Sequence, residues 1–152
     1  MSSIITLLIC YWLIIFSIIG YGIFFDKFFL KAKTKNLGFI GIYGIFTLLL
    51  ISYFSSFFIA HTKIFNSIII LFGFANFLNN RDIFNKNLQK ILIIFSFLII
   101  FIFVSKNHDD FPYYHFPYTH LLTEYSGVIG LGNFTHGFKT PSSVFYFSSL
   151  LH

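Results

Sequence analysis

No side chain before Asp26 carries a charge. A run of that kind constrains the fold more than any motif, because its natural solvent is hydrocarbon. As an α-helix rising about 1.5 Å per residue, Ile4–Phe25 reaches roughly 33 Å, enough to cross a hydrocarbon core about 30 Å thick. The pattern recurs three times. Leu37–Ala60 is a second uncharged span. Ile64–Leu78 is a third, on the order of 22 Å as a helix, and it contains Asn66 and Asn76. Leu88–Val104 is a fourth, with Lys90 and Lys106 as boundary residues whose aliphatic stems can snorkel to the interfaces.

Composition supports this reading. Hydrophobic residues make up 57% of the chain and charged residues 10%, against about a quarter charged in soluble domains. The length suits one domain. The formal net charge of +5 does not point to nucleic acid. Basic residues gather at the ends of apolar runs instead of alternating with aromatics on a polar face. Cys10 is the sole cysteine, so no disulfide forms within the chain. Leu7-Leu8-Ile9-Cys10 lacks the small residue and preceding basic residue of a lipoprotein cleavage box, and the N-terminus reads as a retained helix.

Four spans partition the cations cleanly. Lys27, Lys31, Lys33, Lys35, Arg81, Lys86 and Lys90 fall on one side, and Lys63 and Lys106 on the other. The positive-inside rule then places both basic loops in the cytoplasm, and the N-terminus and the segment after Lys106 outside. Gly38, Gly41 and Gly44 form a small-residue stripe that lets another helix approach closely.

After Lys106 the texture becomes polar and aromatic. His108-Asp109-Asp110-Phe111-Pro112-Tyr113-Tyr114-His115 opens this region. Two carboxylates at a membrane edge are costly unless water, metal or substrate meets them. Adjacent side chains diverge on a helix or strand, so the two have different tasks. Asp110 is placed to cap a helix over about 111–125, bent at Pro117, and Asp109 is free to act as base or metal ligand. The competing reading is two solvated turn residues. On that helix His120 and Glu124 share a polar face, and Tyr114, Tyr118, Leu121, Leu122 and Tyr125 the opposite one, expected against the bilayer. No H-x-x-x-H or H-E-x-x-H pattern accompanies His108, His115 and His120, which also read as interfacial histidines. No cofactor is expected, and a divalent metal is the one open choice. Gly127, Gly130, Gly132 and Gly137 make a loop, in which Lys139 is placed to meet a phosphate.

The organisation expected is therefore a transmembrane region over 1–105, an external polar-aromatic segment over 106–141, and the start of a further apolar helix over 142–152. Ser142–Leu151 is too short to span, which suggests the N-terminal part of a longer polytopic protein or a broken reading frame.

A carboxylate-bearing loop outside a membrane helix, followed by an amphipathic surface helix, resembles the start of the multi-span GT-C glycosyltransferases. These use polyprenyl-phosphate sugars, and the resemblance implies Asp109 or Asp110 as base or metal-linked carboxylate. It also implies substrate contacts from His108, His115, His120, Glu124 and Lys139. The family usually has one span before the acidic loop, and here four are counted, so these residues alone are not expected to be active. The run Asp109–Tyr118 also resembles a stretch in uncharacterised bacterial membrane proteins grouped as a domain of unknown function. The expectation is an all-α integral membrane protein with four transmembrane helices, an external amphipathic helix and a Gly-rich loop. It would lie in the bacterial inner membrane with Asp109-Asp110 on the periplasmic side. Its partners would be the bilayer and a polyprenyl-phosphate-linked sugar. The rival class is a non-enzymatic membrane protein, a transporter fragment or assembly subunit. The lack of ionisable groups within the spans counts against transport.

Overall fold

Every regular element among the described residues is helical. The structure is a computed structural model that describes residues 2–31, 36–80, 88–104, 109–133, 136–139 and 142–152. Helix α1 (Ser2–Phe25) runs into a π turn, Asp26–Leu30, and is followed by α2 (Leu37–Ser56), α3 (Lys63–Asn79) and α4 (Leu88–Val104). A second π turn, Phe111–His115, leads into α5 (Phe116–Glu124), and after two 3-10 turns the chain enters α6 (Ser143–Leu150). The N-termini of α2, α3 and α6 are set by side-chain caps that satisfy otherwise unpaired backbone N–H groups. Asn36 Oδ1 accepts from Gly38 N at 2.9 Å, Thr62 Oγ1 from Phe65 N at 3.4 Å and Ser142 Oγ from Val144 N at 3.3 Å.

α1 is the central helix. α2 packs against it antiparallel, with Gly22 facing Ile40 and Gly44 facing Ile18. α3 packs parallel to it, with Ser17 and Gly20 beside Gly73, and Lys27 hydrogen-bonded to Asn80. α4 returns along α1, where Tyr11 Oη donates to the Phe95 carbonyl at 2.7 Å. The shared core is Ile15, Ile19, Ile23, Ile40, Phe77 and Ile91. The glycine stripe of α2 is only partly what holds the helices close. A Cβ on Gly44 would lie 1.9 Å from the Ile18 carbonyl oxygen, whereas one on Gly41 would meet nothing within 4 Å. The tightest approach is one that the stripe did not signal: a Cβ on Gly20 would lie 1.8 Å from the Gly73 carbonyl oxygen.

The four-span expectation is met in part. Among the described residues two helices are long and apolar enough to cross a membrane by length and composition, the continuous Ser3–Leu30 run and Leu37–Ser56. α3 and α4 have 17 residues each, about 25 Å. Thr62 and Asn80 bound α3, and the described part of the fourth apolar run begins at Leu88.

The segment after residue 109 is also not one bent helix. The Phe116 N–H bonds to the Phe111 carbonyl, closing a π turn just ahead of α5. The wider turn absorbs the missing Pro117 N–H, and Pro117 then sits in the first turn of α5 where no donor is required. α5 is amphipathic, but part of its apolar face is covered by the chain itself. Tyr118 and Leu122 are buried against Phe145 and Tyr146 of α6, while Tyr125 is exposed. α6 descends from this cap into the bundle alongside α2. Tyr146 lies against Tyr53, and Leu150 reaches Leu48 and Tyr21. Two backbone bonds lock the cap to the ends of α2 and α3: His61 N to the Leu122 carbonyl at 2.9 Å and Gly127 N to the Ser56 carbonyl at 2.7 Å.

Candidate functional site

The cap gathers the polar chemistry at the end of the bundle where α3 begins. Asp109 is exposed and Asp110 half-buried. Asp110 starts the π turn through its backbone, accepting at its carbonyl from Tyr113 N at 3.1 Å and Tyr114 N at 3.3 Å. Its side chain makes no capping bond. Instead Oδ2 accepts from Tyr114 Oη at 3.3 Å. The Asp110 cap expected from sequence is thus replaced by a carboxylate–phenol pair. Desolvation, and then the Asp110 charge and hydrogen bond, raise the Tyr114 phenol above its ordinary value.

The other candidates separate into two groups. His115 packs its ring between Tyr114, at 4.4 Å, and the edge of Phe145, at 5.1 Å. His120 is exposed, stacks on Phe116 at 5.8 Å and lies 6.1 Å from the His152 ring. Glu124 and Lys139 are exposed. The glycine loop folds back over the cap: Gly137 presses on Tyr114, and Gly132 lies against Lys139. His108, Lys33, Lys35, Arg81, Lys86, Lys106 and Pro141 lie outside the described residues. Among the described residues no group of three or more His, Cys, Asp and Glu side chains is arranged to hold a metal ion.

The most thoroughly built polar arrangement starts from His61, between the second and third apolar runs, which the sequence did not mark as a site. His61 is fully buried. Its Nδ1 meets Ser149 Oγ at 2.5 Å and its Nε2 meets Ser55 Oγ at 2.8 Å. Ser149 Oγ also donates to the Tyr146 carbonyl at 2.7 Å and Ser55 Oγ to the Ser52 carbonyl at 3.3 Å, so the direction of each His61 bond follows the tautomer of the ring. Burial lowers the imidazole to about 4, partly offset by the Ser52 carbonyl. Asn66 completes the node, its Nδ2 donating to the carbonyls of His61 at 3.0 Å and Ser149 at 2.8 Å. The signal available beforehand was a His and an Asn on either side of a Thr helix cap. Nothing local connected them to Ser149.

A profile described as a domain of unknown function (DUF8201) matches residues 4–152. The chain belongs to this family. That bears out the resemblance to an uncharacterised family, while no glycosyltransferase family matches. No curated protein and no solved structure matches the chain.

Proposed function

We propose that the chain is a multi-span protein of the bacterial inner membrane. In this reading α1–α4 cross the bilayer and the cap lies on the periplasmic face. The observation that carries it is polarity turned inside out. Ser17, Ser52, Ser56, Asn66 and Ser149 are buried, while Ile93, Phe97, Phe101 and Val104 of α4 are 62%, 65%, 62% and 74% exposed. Ile91 is the one buried residue of α4 among those described. An apolar surface that continuous is costly in water and at no cost in lipid. The two shorter helices are accommodated by local thinning of the bilayer or by snorkelling of flanking lysines.

At the outer face the reading extends to glycosyl transfer from a lipid-phosphate sugar. Asp109 takes the proton of an acceptor hydroxyl as that oxygen bonds to the anomeric carbon. The bond from the anomeric carbon to the lipid phosphate breaks, and the phosphate leaves. Asp110, held by Tyr114, positions the turn, and His120, Glu124 and Lys139 line the side open to substrate. Catalysis of this kind rests on positioning and electrostatics. A second reading, a non-enzymatic assembly subunit, is favoured by the engagement of His115 in aromatic packing and of Asp110 with Tyr114.

The test compares Asp109→Asn with Asp110→Asn in the source cells at matched membrane abundance. Glycan product should fall about a hundredfold or more for Asp109→Asn and persist for Asp110→Asn. Full product from both leaves the pair as turn residues and favours the subunit.

A further inference from the structure

His61 and Ser149 are both fully buried, and α2, α3, α5 and α6 meet at the node they form. Ser55 of α2 and Ser149 of α6 hold the two ring nitrogens, and Phe65 of α3 stacks on the ring at 5.6 Å. The His61 N–H donates to the Leu122 carbonyl of α5. Asn66 of α3 bridges the carbonyls of His61 and Ser149. α6 is thus fastened to the α2–α3 end of the bundle at one polar point. The rest of its hold is apolar, through Leu150 beside Leu48 and Tyr21 and through Phe145 and Tyr146 in the cap. The core shared by α1–α4 contains no residue of α6.

Nothing in the node repays a positive charge on the ring. The imidazole meets two hydroxyls, the Ser52 carbonyl and a phenyl face. Titratable side chains on the elements around it are Tyr53 of α2, Lys63 of α3, Tyr118, His120 and Glu124 of α5, and Tyr146 and His152 of the α6 segment. None of them shifts the ring. Hydroxyls can turn to suit either protonation state, but neutral dipoles do not offset the desolvation of a buried charge. The docked ring accordingly titrates at about 4, whereas an imidazole open to water titrates at about 6.5.

We propose that the His61 node is an acid-operated latch: protonation of the ring releases α6 from the α2–α3 end of the bundle while the α1–α4 core stays assembled. The charged ring exchanges a buried site for water, and α6 is the element whose departure admits that water. Undocked chain binds the proton more tightly than docked chain, so acid opens the latch and neutral pH closes it. Between pH about 6.5 and 4 the docked state loses up to about tenfold per pH unit relative to the undocked one. The latch follows from the packing of α6 and does not depend on glycosyl transfer.

Spin labels on the purified full chain in phospholipid vesicles test it, in a Cys10→Ser background. One pair joins His152→Cys, just past α6, to Ile68→Cys on α3, and a control pair joins Ile42→Cys on α2 to Leu71→Cys on α3, all at exposed positions. Pulsed electron paramagnetic resonance gives both distances at pH 7.5 and 4.5. The ratio of docked to undocked chain should fall roughly a hundredfold, so the first distance lengthens and the control distance holds. Ser149→Ala keeps the ring but removes its partner on α6, and should open at higher pH. His61→Gln cannot take the proton, and its distances should not depend on pH. Constant distances in both the parent and Ser149→Ala overturn the proposal, as does a pH response that persists in His61→Gln. Lengthening of the control pair together with the first shows global unfolding and overturns it too.

Discussion

The imidazole of His61, in the turn between α2 and α3, meets through Nδ1 the hydroxyl of Ser149 on α6, 88 positions away in sequence and 2.5 Å away in space. This contact pins α6 into the bundle. Burial favours the neutral ring there.

Stability should therefore fall in mild acid. The folded imidazole titrates at about 4, below the ordinary value of about 6.5. Between those values the unfolded chain binds the extra proton and the folded chain does not. The stabilisation is present in full above pH about 6.5 and is lost as pH falls towards 4, by roughly 3 kcal/mol. Unfolding in detergent followed by circular dichroism across this range checks it. His61→Phe should be less stable at neutral pH and show a flatter profile.

Glycine substitutions in α2 should divide by position. Gly44→Val forces a side chain into the Ile18 carbonyl and should cost about 1–3 kcal/mol or more, as overpacking does. Gly41→Ala enters open space and should stabilise the helix by up to about 1 kcal/mol. Titration with a denaturing detergent should shift the two midpoints in opposite directions.

The junction of α5 and α6 can be dissected at Tyr118, whose hydroxyl lies 3.0 Å from that of Tyr146. Tyr118→Phe leaves one buried hydroxyl without its partner and should cost about 1–3 kcal/mol. Tyr118→Ala empties the space against Phe145 and Phe138 and should cost about 3–5 kcal/mol. The readout is limited proteolysis after Lys139. The alanine variant should be cut markedly faster than the phenylalanine variant, with α1–α4 intact.

The helical class and the places where helices break were legible because charge and apolar runs alternate along the chain. The shortness of the third run was legible, at roughly 22 Å as a helix, whereas that the fourth, at the same 17 residues as α3, falls equally short of a crossing was missed. The direction of the α5 aromatics was also missed. Periodicity places Tyr118 and Leu122 on one face, but whether lipid or α6 covers that face depends on where residues 143–150 fold. The acidic pair was legible as a turn, whereas the pairing of Asp110 with Tyr114 in place of a cap came from the π turn. The His61 node was hidden for a related reason, since its partners come from three separate helical segments and no local pattern joins them.

The orientation of the chain in the bilayer tests the account most directly. In a Cys10→Ser background, single cysteines are placed at Asn80, at the end of α3, and at Ile129, which is 82% exposed in the cap. Intact cells are then treated with a membrane-impermeant thiol reagent. Ile129→Cys should label at once, and Asn80→Cys only after the membrane is permeabilised. Labelling of Asn80→Cys in intact cells with Ile129→Cys protected, or recovery of the chain in the soluble fraction, would contradict the account.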